Sequence, residues 1–136
     1  MIHDQKERKV VCPRCNHQEY PSITPAVIVG IVYQDQILLS KYNHGKIYAL
    51  IAGFCEVGET IEECVKREVK EETNLEVTHL HYYKSQPWSF SNSLLFGFYC
   101  EVKGDPTITV DHSELAMADF FNREETPDQV HPGSLT

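Results

Sequence analysis

A chain of 136 residues with 41% hydrophobic content can bury one core and is too short for two, so a single domain core is expected. Twelve Lys and Arg against 20 Asp and Glu leave a net charge of −8, which argues against a general nucleic-acid or anionic-membrane surface and leaves an anionic substrate dependent on metal or a local basic patch. No N-terminal apolar run resembles a signal peptide, no stretch approaches a membrane span, and Cys12, Cys15, Cys55, Cys64 and Cys100 cannot all pair within one chain, so a reducing, cytoplasmic compartment is expected.

Residues 1–11 are charged and polar until Val10-Val11, and the first few are expected to be mobile. Cys12-Pro13-Arg14-Cys15-Asn16-His17 is a tight turn carrying two thiols at the spacing of a zinc knuckle. A structural zinc site takes four ligands, so His3, His17 or a second chain would have to complete it; otherwise the turn holds two free thiols. Tyr20 to Pro25 reads as an extended connector, because residues before proline avoid the helical region. Ala26 to Tyr33 is a β-branched run suited to a strand buried on both faces. Gln34-Asp35-Gln36 turns the chain into a hairpin partner, Ile37 to Lys41. A second turn at Asn43 to Lys46 leads into Ile47 to Ala52; Lys41, His44 and Lys46 are candidates for phosphate or ordinary solvated residues.

Gly53-Phe54-Cys55-Glu56-Val57-Gly58-Glu59-Thr60 is a glycine-punctuated loop, and Ile61 to Leu75 reads as one helix. Thr60 as N-cap and Glu63 three residues on form a capping box. At about 100° per residue, Ile61, Cys64, Val65 and Val69 form the core-facing stripe. Glu68, Glu71 and Glu72 fall on or beside that stripe, in the half of the helix whose dipole disfavours anions. Three carboxylates so placed repel one another unless a cation sits among them, and Mg²⁺ or Mn²⁺ is the natural candidate, with Glu59 as a fourth oxygen ligand. Arg67 points away from that face on an ideal wheel and reads as an orienting partner for a loop or helix carboxylate.

After the helix, Leu75 to Ser85 alternates loosely and carries His79 and His81 at i and i+2, on one strand face. Ser85-Gln86-Pro87-Trp88-Ser89-Phe90-Ser91-Asn92-Ser93 reads as a loop able to hold a flat ring and hydrogen-bond its edge. Leu94 to Val102 is a strand, Thr107 to Val110 a short extension, and Leu115 to Phe121 a final short strand preceded by Glu114, an added metal ligand or base. Residues 122–136 are acidic and punctuated by proline.

Gly53, five residues, Glu59, seven residues, Arg67-Glu68-Val69, one residue, Glu71-Glu72, one residue, Asn74-Leu75 resembles the signature of the Nudix hydrolases. Asn74 stands where that family usually has glycine, and Asn is the next most tolerant residue of the left-handed C-cap. The order Ser85-Gln86-Pro87-Trp88, then Phe90 and Ser93, is similar to the motif of the NADH pyrophosphatases within the family, with Ser89 and Ser91 in place of its prolines. The Cys12–Cys15 turn looks like the second half of that subgroup's four-cysteine zinc ribbon; the first half and the larger N-terminal domain are absent. The resemblance spans roughly residues 12–134 and implies a half zinc ribbon and connector over 1–22, then a Nudix hydrolase domain over 23–136. The implied fold class is α/β, a mixed central sheet sandwiched by helices.

By resemblance the reaction is metal-dependent attack of water on the diphosphate of NADH or NAD⁺, giving NMN(H) and AMP. Glu68, Glu71 and Glu72 are then metal ligands, and Glu71 or Glu114 is the base, the two remaining open. Phe54 and Tyr20 would stack on the nicotinamide end, Tyr20 coming from the partner chain of a homodimer, with Gln86, Trp88, Phe90 and Ser93 in the substrate loop. Some relatives remove NAD caps from RNA, but a charge of −8 offers no extended basic path for RNA. Two other readings are a Nudix activity on ADP-ribose, nucleotide sugars or nucleoside triphosphates, and a non-catalytic nucleotide-binding module.

Overall fold

The computed structural model describes residues 1–42, 48–110 and 115–122. Its main sheet has the order β10 (Leu115–Asn122), β5 (Gln36–Tyr42), β4 (Thr24–Tyr33), β9 (Ser93–Val102), β8 (Val77–Trp88), with β7 (Ile51–Phe54) paired to β4 and β6 (Tyr48–Ala49) to β5. The organising strand is β4 (Thr24–Tyr33), whose Val27, Val29 and Ile31 are fully buried. It runs parallel to β9 (Ser93–Val102) and antiparallel to β7 (Ile51–Phe54), so the sheet is mixed, as expected. The partner of β4 changes along its length: Ala26 to Val29 pair with β7, while Val32 and Tyr33 pair with β5 (Gln36–Tyr42). The β4–β5 hairpin closes on two residues, Gln34 and Asp35, at φ 47° and 65°. Two successive left-handed residues make the turn whose twist matches its flanking strands, and Gln36 belongs to the strand instead of the turn.

The helix α1 (Ile61–Thr73) begins where the capping box puts it. Thr60 Oγ1 accepts the Glu63 backbone N–H at 3.1 Å and donates to the Glu63 carboxylate, so Glu63 closes the box on the threonine hydroxyl. Cys64, Val65 and Val69 are fully buried against Val27, Val29, Ile31, Ile51 and Phe98, and Ile61 packs at the edge of that core. Asn74 ends the helix at φ 60°, its amide bonded to the Lys70 carbonyl. Residues 107–110, read as a short extension, lie outside the sheet. Thr109 N–H instead donates to the Thr73 carbonyl at 2.9 Å, satisfying one of the acceptors a helix leaves free at its end. Among the described residues α1 is the one α-helix, and no helix is long and apolar enough to cross a membrane.

Three further expectations are corrected. The N-terminus is not a mobile tail: β1 (Ile2–His3), β2 (Val10–Val11) and β3 (Gln18–Glu19) form a small antiparallel sheet, and the Asp4 carboxylate accepts the Lys6 and Glu7 amides in the intervening turn. The stretch read as a loop from Ser85 is strand as far as Trp88, because β8 (Val77–Trp88) lies at the sheet edge, where Pro87 has no ladder bond to lose on its open side. His79 and His81 do not share a regular face, since the β8–β9 register shifts between Thr78 and His81 and His79 sits at φ 53°. His79 Nδ1 instead meets Glu101 Oε2 at 2.9 Å. Strand β10 (Leu115–Asn122) pairs along β5 as the opposite edge.

Asn74→Gly should leave stability within about 0.5 kcal/mol, whereas Asn74→Val should cost ~1–2 kcal/mol for forcing a β-branched residue into the left-handed region. Urea midpoints test this; equal losses in the two variants would show that the cap conformation is unimportant.

Candidate active site

Arg67, its side chain 22% exposed, reaches from α1 to the motif loop. Its Nε donates to Glu59 Oε2 at 2.9 Å and its Nη2 to Glu59 Oε1 at 2.6 Å, a bidentate pair. Nη2 also donates to the Phe54 carbonyl at 2.9 Å, while Nη1 donates to Glu68 at 2.9 Å and to Glu71 at 3.2 Å. Glu56 lies 3.8 Å away. The orienting role read for Arg67 is therefore what the geometry has, but a wheel misplaces its reach. Four carboxylates, those of Glu56, Glu59, Glu68 and Glu71, lie within 3.8 Å of a single guanidinium.

Glu59 is clamped between two elements. One oxygen also accepts the Glu56 backbone N–H at 2.9 Å, and the side chain is only 13% exposed. The Arg67 hydrogen bonds, then the Glu56 amide, hold its carboxyl far below the ordinary carboxylate value, to about 2. Reciprocally, Glu59 pushes the Arg67 pKa further up. Gly53 explains the position of Glu68: a Cβ on Gly53 would overlap the Glu68 carboxyl group. Any side chain there would expel that carboxylate from beside Arg67. Glu71 is exposed, whereas Glu72 is 4% exposed, buried on the core side of the helix.

The carboxylate excess and the cradle left by Gly53 fit a divalent cation bound by oxygen. Glu114 lies outside the described residues, as do His44 and Lys46. A group absent from the sequence reading is Cys55 and Cys64, which bring their sulfurs and a Glu59 oxygen within 4.8 Å of one another. Burial, then the Cys55 thiol, pushes the Cys64 thiol up, and Arg67 Nη2 approaches its sulfur at 3.8 Å. The signal available in the sequence was the pairing of a loop cysteine with one on the buried helix stripe.

The substrate-loop residues gather by register. Phe54 pairs with Ala26, Ala26 with Leu95, and Leu95 with Gln86, so these four form one row across the sheet. Trp88 and Ser93 pair two residues further along the same row of faces, opposite the face on which Gly53 meets α1. Phe54 and Gln86 stand three strand spacings apart, about 14 Å, with small Ala26 and Leu95 as the floor between them. The Trp88 and Phe90 rings pack at 5.1 Å around the single 3₁₀ turn Ser89–Ser91. The Ser93 hydroxyl, expected to meet substrate, is 4% exposed and engages Ser91 Oγ at 2.7 Å. Tyr20 is half exposed, its hydroxyl donating to Glu7 of its own chain at 3.1 Å. Cys12 and Cys15 lie in the expected turn, closed by the Asn16 amide on the Cys12 carbonyl at 2.9 Å. Among the described residues no third ligand joins them, and His17 Nε2 is held by Glu19 at 2.6 Å.

The Glu59 clamp predicts an acid dependence of stability. The unfolded chain takes up this proton near 4.5 and the folded protein near 2, so the pair contributes in full above pH 4.5 and loses its contribution as pH falls toward 2. Thermal midpoints followed over that window should fall less steeply in Glu59→Gln than in the parent; identical slopes would mean that Glu59 is not the coupled group.

Comparison with known proteins bears on the same residues. A family profile described as NUDIX domain matches residues 23–135. The NAD-capped RNA hydrolase NudC of Photorhabdus laumondii is 42% identical over 129 residues, covering 93% of this chain and 50% of that protein. The protein of the same name from Escherichia coli O157:H7 is 38% identical, covering 99% of this chain and 53% of its own length. The chain thus spans about half the length of the curated relatives it matches. Among solved structures, a NUDIX hydrolase from Nitrosomonas europaea superposes with a TM-score of 0.75 at 23% identity over 88% of this chain and 68% of that one. The matched range 23–135 contains the glycine loop, the clamped Glu59–Arg67 pair and the Glu68-to-Glu72 helix, and the chain belongs to the Nudix hydrolases.

Proposed function

We propose that this protein hydrolyses the diphosphate bridge of a nicotinamide dinucleotide, NADH or NAD⁺, to NMN(H) and AMP. The observation that carries the reaction class is the group of four carboxylates around the Arg67 guanidinium, a site with more negative charge than its own cation can offset. Glu68, Glu71 and Glu72 would hold Mg²⁺ or Mn²⁺, with Glu59 and Glu114 as further oxygen donors. When bound, such ions neutralise charge on the bridging phosphates and acidify water.

The chain supplies the rest. Arg67 fixes Glu59 and orients Glu68, coupling the loop to the helix. Glu71, exposed and at the outer end of the Arg67 fan, or Glu114, accepts the proton of the attacking water. Phe54 on one side of the Ala26–Leu95 floor, and Gln86, Trp88 and Phe90 on the other, are suited to a flat ring and its polar edge. The likeness to NAD-capped RNA hydrolases favours a nicotinamide dinucleotide end, and the net charge of −8 favours the free dinucleotide over an RNA-linked one. A homodimer in which Tyr20 of a second copy reaches the ring, a zinc ion on Cys12 and Cys15 completed from outside this chain, and a cytoplasmic location suited to five free thiols belong to the same reading. Residues 1–22, with their own small sheet, would then be a unit appended to the hydrolase domain.

A second reading is ADP-ribose as substrate. The Ser91–Ser93 bond favours it, since a hydroxyl committed to its own turn does not read a nicotinamide edge.

A panel of NADH, NAD⁺, ADP-ribose, nucleotide sugars and dinucleoside polyphosphates with Mg²⁺ and Mn²⁺ decides between these readings. Glu68→Gln and Glu72→Gln should each lower turnover about a hundredfold with the circular dichroism spectrum unchanged. Unaltered turnover in either would remove the metal assignment. Trp88→Ala should raise KM for NADH more than KM for ADP-ribose; equal increases would count against a nicotinamide-selective site.

A further inference from the structure

The two cysteines flanking Glu59 have no part in the chemistry above, and their placement is unusual. Cys55 follows β7, with its amide held by the Pro25 carbonyl at 3.0 Å, and Cys64 sits in the first turn of α1, with its amide on the Thr60 carbonyl at 2.9 Å. Both backbones are thus anchored on regular structure, and the sulfurs lie within 4.8 Å of each other. Cys55 is half-buried and Cys64 fully buried, so a small oxidant meets Cys55 first. A cation competes poorly for the sulfurs, because the positive Arg67 Nη2 already lies 3.8 Å from the Cys64 sulfur. The thiols are left to react with each other.

We propose that Cys55 and Cys64 are a peroxide-sensitive dithiol whose disulfide disables the Glu59–Arg67 clamp. Hydrogen peroxide transfers one oxygen to the Cys55 sulfur: the S–O bond forms, the O–O bond breaks and water leaves. The Cys64 sulfur then attacks the Cys55 sulfenic acid, forming S–S, breaking S–O and releasing a second water. The two thiols are oxidised by two electrons, peroxide is reduced, and both thiol protons end in water. Closing the sulfurs to about 2.05 Å draws the loop against the first helical turn. That movement acts on Glu59 and on the Phe54 carbonyl, both held by Arg67. The inhibitory half of this proposal rests on the hydrolase reading; the bond itself does not.

The test uses the full chain carrying Cys12→Ser and Cys15→Ser, which removes the other close thiol pair, treated with stoichiometric peroxide and then alkylated. Both cysteines fall in one tryptic peptide, residues 47–66, which should lose two hydrogens, and cleavage at Glu56 or Glu59 should leave its halves joined until dithiothreitol is added. Hydrolysis should fall about tenfold on oxidation and return on reduction. Cys55→Val should keep its own reduced rate after peroxide. Sulfinic acid on Cys55 with Cys64 still open to alkylation overturns the proposal, as does a complete bridge with an unchanged rate. A reduced protein inactive on every substrate of the panel would defeat the hydrolase reading, while the peptide map still decides the bridge.

Discussion

The guanidinium of Arg67 is the interaction on which the site depends. A planar group with five fixed donors can bind both oxygens of Glu59, one each of Glu68 and Glu71, and the Phe54 carbonyl at once; an ammonium in the same place would be a point charge without that fan. It ties the loop to the helix along the two edges that must stay in register. It also gives Glu59 a reason to remain ionised although only 13% exposed, and it restrains the mutual repulsion of neighbouring carboxylates.

Gly53 and Phe54 divide their work between two faces of β7. Gly53 faces α1 and gives up its side chain so that the Glu68 carboxyl can lie against the strand. Phe54, one residue on, offers its carbonyl to Arg67 and, by strand alternation, its ring to the opposite face. One residue thereby joins the carboxylate site to the row that ends at Gln86. Because β4 pairs with β5 only at Val32 and Tyr33 and with β7 from Val29 back to Ala26, the motif loop that follows Phe54 leaves the sheet beside Ala26 and Pro25.

Local features were read from sequence with little loss. The N-cap, the C-cap at Asn74, the buried helix stripe and the β4–β5 hairpin all depend on interactions among residues a few positions apart, where propensity and capping dominate. Non-local features were not. An ideal wheel records where Arg67 leaves the helix and not where its long side chain ends. Alternation at His79 and His81 failed because a bulge intervened, and Ser85 to Trp88 read as loop because Pro87 and the serines hide an edge strand. The Ser93 hydroxyl engages Ser91 across the 3₁₀ turn, a contact that residue order alone does not report.

By itself the sequence determined the glycine loop, the helix and the carboxylate pattern, because spacing along a single helix is set by helical geometry alone. It thereby determined the family to which the chain belongs. Only the tertiary structure decided that Arg67 sits at the centre of those carboxylates, that Gly53 is needed to seat Glu68, and that Phe54 and Gln86 bound one row of the sheet. It also decided that Cys55 and Cys64, nine positions apart, are neighbours. Each of these depends on how β7, β4 and α1 pack against one another, and strand pairing over long sequence separations is written in no local run of residues.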